Sequence, residues 1–180
     1  MYTYICFLRA INVGGKNSLK MSDLSNALSQ LKFNNIKTYL QSGNFIFSSK
    51  SNNTSLIEQE IELLILKQFN ITTIALLYTK TELIHILDNT PFVNKNLNSL
   101  YFTFLKKTNR TLINQDEIHS NYAPDLYIIK NEIVYIHCES GYGKTKLTNS
   151  FFEKQLQTQA TTRNYNTMLN LIALSDLNME

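Results

Sequence analysis

The chain has 180 residues, 43 % of them apolar and 17 % charged, with a net charge of +3. That length suits one ordinary domain or two small ones, and the apolar share supports a packed core and excludes a disordered chain. The charge is mild, and without a long Lys/Arg block it gives no call for a polyphosphate partner.

The start, Met1–Cys6, lacks a charged region, an apolar core and a small-residue cleavage site, so no signal peptide is expected. The longest apolar runs fall well short of the roughly 18–20 residues of a membrane span. Cys6 and Cys138 lie far apart in apolar runs and read as two reduced, buried thiols rather than a disulfide framework. The expectation is a soluble cytoplasmic protein with no membrane partner.

Tyr4–Ile11 reads as a strand. Ser22 offers an N-cap, and Leu24, Leu28 and Leu31 follow at helical spacing. Ile36–Leu40 and Asn44–Ser48 are β-rich runs separated by Gln41-Ser42-Gly43, a hairpin signal. Asn52–Ser55 reads as a loop ending in a cap. The next helix carries Ile57, Ile61, Leu64 and Ile65 on one face, and its acidic residues Glu58, Glu60 and Glu62 read as solvated charge. Ile71–Tyr78 is a closing strand, and a further helix covers Lys80–Asp88.

Residues 91–99 are Asn-rich and read as a linker. The order then recurs: a strand at Leu100–Leu105, a helix at Leu112–Ser120, and a hairpin of Leu126–Ile129 with Ile133–Cys138. A helix at Lys146–Gln157, a short strand at Gln159–Thr162 and a last helix at Tyr165–Leu174 follow. The expected fold is α+β. It has two tandem ferredoxin-like (βαββαβ) halves, 1–90 and 100–180, each an antiparallel sheet with helices on one face. The second sheet face needs a cover or a ligand. Ile5, Phe7 and Arg9 share one side of the first strand, and Lys37 with Tyr39 and Phe45 with Phe47 also alternate, so an aromatic and basic face either packs internally or binds something planar. Tyr101 or Phe102, Tyr127 and Tyr135 pose the same choice in the second half.

Four stretches carry candidate chemistry. In Arg9–Asn17, Gly14 and Gly15 permit positive φ and can turn main-chain N–H groups into one concavity, beside the cations Arg9 and Lys16. The plain alternative is a tight connection. Gly141-Tyr142-Gly143-Lys144-Thr145 resembles the end of a phosphate-binding P-loop, but the first glycine of that motif falls on Cys138, so Lys144 is at most a phosphate contact beside a glycine turn. In Thr161–Thr167, either Thr162 or Asn164 caps the last helix while Arg163 pairs with a carboxylate, or Arg163 and Asn164 join Arg9 at an anion. Ser42-Gly43-Asn44 is a hairpin tip that either turns the chain or orients a ligand through Ser42 and Asn44. His85, His119 and His137 have no metal-ligand spacing, no nucleophile elbow is present, and no cofactor motif is found.

Phe7–Asn17, then Met21 and Leu24, then Thr38–Asn44 resemble the bacterial family called domain of unknown function 1697. Thr161-Thr162-Arg163-Asn164-Tyr165-Asn166-Thr167 is similar to that family's late signature, with Tyr165 where Trp is usual, and Gly141–Leu147 is similar to its glycine-containing stretch. The resemblance spans nearly the whole chain and implies a compact α+β protein of two ferredoxin-like halves, with no activity attached. The functional expectation is binding of an anionic small molecule or nucleotide at Arg9, Asn12, Gly14, Gly15, Lys16, Ser42, Asn44, Lys144, Arg163 and Asn164. Whether a bond is made or broken stays open. The alternatives are an RRM-like face binding single-stranded nucleic acid, or a homodimeric interaction protein.

Overall fold

The computed structural model describes residues 1–106 and 115–176. Two compact units form: Met1–Leu83 joined by the C-terminal residues from Asn170, and Ile84–Leu169. The last helix, expected whole in the second half, is therefore divided between them.

The first unit runs β1 (Tyr2–Leu8), α1 (Met21–Leu28), β2 (Asn34–Tyr39), β3 (Asn44–Ser49), α2 (Thr54–Phe69) and β4 (Ala75–Tyr78). Its sheet has the order β2-β3-β1-β4 with every neighbouring pair antiparallel. The β1 register sets Cys6 between Phe45 and Leu77, and Phe7 between Asn44 and Leu76. Strand alternation then sorts the side chains. Tyr4, Cys6, Leu8, Phe45 and Phe47 join Leu24, Leu28, Ile57, Ile61 and Ile65 of the two helices in one core. Ile5, Phe7, Ile46 and Leu76 take the other face and are also buried. Phe45 and Phe47 thus do not belong to an open sheet face: they lie under α1 and α2. Ser22 is inside α1 rather than at its cap, which is Lys20 with no side-chain bond. The cap expected at the end of Asn52–Ser55 comes earlier: Asn53 caps α2, accepting from the Leu56 N–H at 3.1 Å, and Thr54 and Ser55 are already helical.

α3 (Lys80–Asp88) leads onward, and Lys80 pairs with Asp176 near the end of α5 (Tyr165–Asp176). The second unit contains β5 (Leu100–Leu105), β6 (Gln115–Tyr122), β7 (Asp125–Lys130), β8 (Ile133–His137), α4 (Asn149–Leu156) and β9 (Ala160–Asn164). Its antiparallel sheet has the order β6-β7-β8-β5-β9. The helix expected at Leu112–Ser120 is corrected. From Gln115 the chain is an edge strand paired to β7, and residues 112–114 of the expected helix lie outside the described residues. The second unit therefore does not repeat β-α-β-β-α-β. On one face Tyr127, Ile129, Val134 and Ile136 pack with Leu147 and Phe152 of the α4 side. Phe102, Tyr135, His137 and Arg163 lie on the opposite face, all buried.

Candidate functional site

The two loops at one end of the first sheet form a single cluster. After β1, Arg9 is fixed through its main chain: its N–H donates to the Ile74 carbonyl at 3.1 Å, and its carbonyl accepts from the Thr73 hydroxyl at 2.7 Å. The chain then folds into a miniature hairpin. Lys16 N–H donates to the Val13 carbonyl at 3.0 Å, and Asn12 N–H to that of Asn17 at 3.1 Å. Gly14 and Gly15 occupy its tip with φ of 57° and 75°, the two left-handed residues of a type I′ turn. Gly14, Gly15 and Lys16 are exposed, and no atom lies within 4 Å of where a Cβ would stand on either glycine.

Asn12 holds this hairpin to the rest of the unit. Its Nδ2 donates to the Leu19 carbonyl at 2.8 Å and to the Gln41 carbonyl at 2.7 Å, and its Oδ1 accepts from the Leu19 N–H at 2.7 Å. The bond to Gln41 joins the Gly14-Gly15 hairpin to the β2–β3 turn. There the Leu8 N–H reaches the Gly43 carbonyl at 2.8 Å. Asn44 is fully buried, and its Nδ2 donates to Ser42 Oγ at 2.8 Å and to the Tyr39 carbonyl at 3.2 Å. Ala10, Asn12, Gly14, Gly15, Asn17, Leu40 and Gly43 all have positive φ in these two loops. Ala10 and Leu40 bear side chains that disfavour that region. Such a concentration needs a surrounding structure that over-determines it, and Asn12 with Asn44 supplies it.

The structure therefore brings Arg9, Asn12, Gly14, Gly15, Lys16, Ser42 and Asn44 to one end of one sheet. Asn12 and Asn44 act on the protein's own backbone there. Thr73 and Gln41, which hold the loops through the Arg9 carbonyl and Asn12, are contacts that strand and helix periodicity does not reveal.

The remaining candidates belong to the second unit and have local partners. Arg163 is buried, and its Nη1 donates to Thr161 Oγ1 at 2.7 Å and to the Thr162 carbonyl at 2.8 Å. Asn164 Oδ1 accepts from the Thr167 N–H at 2.8 Å and caps α5. Lys144 is exposed in a short 3-10 turn, Tyr142–Lys144. Gly143-Lys144-Thr145 opens no α-helix. α4 starts at Asn149 under a Thr148 cap, so the phosphate-cradling geometry of a P-loop is not built. That turn is instead tied inward: Tyr142 Oη donates to Thr162 Oγ1 at 3.0 Å, and Thr162 Oγ1 donates to Asn149 Oδ1 at 2.6 Å. Burial pushes the Tyr142 phenol and the Cys138 thiol up, the latter to about 11, and pushes the His137 imidazole down. These shifts mark groups held neutral by packing rather than groups poised for proton transfer. Among the described residues no group of three His, Cys, Asp or Glu could hold a metal ion, and no helix is long and apolar enough to cross a membrane.

A family model described as "Protein of unknown function (DUF1697)" matches residues 1–135. The chain belongs to the DUF1697 family. The match covers the whole Gly14-Gly15 cluster of this DUF1697 protein. A conserved bacterial protein, SP0830 from Streptococcus pneumoniae, has a solved structure similar to it, with a TM-score of 0.71 and 20 % identity. The likeness covers 96 % of this chain and 98 % of that one, and it speaks to the α+β fold alone. No curated protein matches the chain.

Proposed function

We propose that this DUF1697 protein binds an anionic small molecule at the Gly14-Gly15 hairpin of its first unit. The observation that carries the reading is the cluster of seven left-handed residues around an exposed turn that Asn12 ties to the Leu19 and Gln41 carbonyls. A rigid turn presents its main-chain N–H groups to an anion without an ordering cost on binding. Lys16 beside the tip and Arg9 at the hairpin base supply the positive charge. Asn12, Ser42 and Asn44 are the frame of this site, holding its two loops together. Lys144, Arg163 and Asn164 belong to the second unit, and the proposed site is drawn from first-unit residues.

The reading favours binding over catalysis, because the cluster offers cations, amides, a hydroxyl and main-chain N–H groups but no carboxylate, imidazole or thiol. RRM-like nucleic-acid recognition is the weaker reading: Phe7, Phe45, Phe47, Phe102 and Tyr127 are buried and offer no stacking platform. The strand order β2-β3-β1-β4 supports describing the first unit as ferredoxin-like, and the two unbridged cysteines suit a cytoplasmic protein. Titration of the ¹⁵N-labelled chain with inorganic pyrophosphate and then with a nucleoside triphosphate tests the site. The expected result is saturable amide shifts centred on Gly14, Gly15 and Lys16 that Lys16→Ala weakens. Shifts absent there, or spread over surface lysines and abolished by modest salt, would refute it.

A further inference from the structure

The longest helix of the first unit has apolar residues on two faces. α2 buries Ile57, Ile61 and Ile65 against the sheet. Leu56, Leu63 and Leu66 fall on another face, at spacings of seven and three that align them along the helix, and they are 49 %, 53 % and 42 % exposed. The core does not use them.

This leucine ridge has a groove on each side. One, of about 440 Å³, separates α2 from the turn after α1 and is lined by Leu31, Lys32, Glu60, Leu63, Leu64 and Lys67 among others. It shares Leu31, Lys32 and Glu60 with a further groove of about 600 Å³ that adds Lys50 and Leu56. On the far side, Leu63 and Leu66 border a groove of about 380 Å³ with Thr72 and Thr73. Among the described residues lining the longer rim, Lys32, Lys50 and Lys67 stand against one acidic side chain, Glu60. Glu62, on the other side, has its carboxylate on the Ala75 N–H.

We propose that α2 is a docking surface for an acidic amphipathic helix of a partner protein. The three leucines span about 15 Å, the length of roughly ten helical residues, and an apolar stripe between grooves is what a helix laid alongside would cover. The lysine rim selects negative charge in that helix. A second copy of this chain fits less well, because a two-fold pairing of α2 with itself sets the same lysine rim against its own image and Glu60 near Glu60.

The test places the photoreactive residue benzoylphenylalanine at Leu63 of the full chain in its host, with Leu169 as an exposed control site. An adduct at position 63 and not at 169 is expected, and mass spectrometry of the adduct should find an acidic amphipathic helical segment. The double variant Lys32→Glu with Lys67→Glu, confirmed as folded by its thermal melt, should lower the adduct yield by roughly tenfold. No adduct, an adduct with a second copy of this chain, a segment without that chemistry, or a yield unchanged by charge reversal would each overturn the proposal.

Discussion

Glu58 on α2 accepts a hydrogen bond from the Leu77 main-chain N–H of β4 at 3.0 Å. Four residues along, Glu62 accepts from the Ala75 N–H at 2.9 Å. β4 is an edge strand, and Leu77 and Ala75 are the alternate residues whose N–H groups face away from β1. A helical repeat of four has been matched to a strand repeat of two, so that one helix closes one edge. The expectation that these carboxylates are merely solvated is thereby corrected. β9, one edge of the other sheet, has the same device, with Glu153 of α4 accepting from the Ala160 N–H at 2.9 Å. Open edges template intermolecular pairing, so these carboxylates guard against aggregation as well as stabilising the fold. Glu58→Ala combined with Glu62→Ala should cost about 2 kcal/mol in urea unfolding and raise light scattering on warming. Glu60→Ala, between them on the same helix, should do neither.

The Asn12 clamp makes a sharper prediction. Three hydrogen bonds converge on one side chain, two of them to the same residue, Leu19. Its main chain is also left-handed, with φ of 56°, which Asn tolerates and Ala resists. Asn12→Ala should lower stability by about 2–4 kcal/mol and speed amide exchange through residues 10–19. Asn12→Asp keeps the acceptor for the Leu19 N–H but sets a carboxylate oxygen against the Leu19 and Gln41 carbonyls, so its loss should be at least as large as that of Asn12→Ala at neutral pH.

Two glycines separate conformation from space. At Gly43, φ is 71° and an added Cβ would lie 2.9 Å from Leu8 Cβ and 3.2 Å from Ile11 Cβ, both main-chain-bound atoms that cannot swing away. At Gly14, φ is 57° and the space is open. Gly14→Ala should therefore cost only the left-handed penalty, about 1 kcal/mol, whereas Gly43→Ala should cost about 3 kcal/mol. Equal losses in thermal melts would mean that the β2–β3 turn relaxes away from β1.

Much of the architecture was legible because strands and helices here keep clean periods. Lys80–Asp88 and Leu100–Leu105 have the bounds read from sequence, and the register of Tyr4, Cys6 and Leu8 follows from simple alternation. The misread segment, Gln115–Ser120, has Ile118 as its only apolar residue. Neither period can be resolved from one apolar position, and pairing with β7 decides the outcome. At the site, the glycine turn was visible, but the roles of Asn12 and Asn44 were not. An amide that binds a ligand and one that binds a neighbouring carbonyl look alike in sequence. Likewise Arg163 and Glu58 found main-chain or hydroxyl partners whose position depends on packing across elements.

His137 supplies the pH dependence. It lies in β8 between Leu100 and Leu126, 4 % exposed, with the Phe92 ring centred 6.1 Å away, and its Nδ1 has no hydrogen-bond partner among the described residues. Burial lowers its pKa from the ordinary 6.5, and Lys95 adds to that, while Glu139 and Asp125 oppose it. A lowered folded-state pKa means that the unfolded chain binds the proton more readily. Protonation linkage therefore takes nothing from stability well above about pH 6.5, and stability is lost as pH falls from there through the folded-state value. Urea midpoints between pH 8 and pH 5 should drop on the acid side. His137→Phe keeps an apolar ring against Phe92 and removes the proton site, so it should flatten that part of the profile. An unchanged slope in the variant would move the acid sensitivity to other groups.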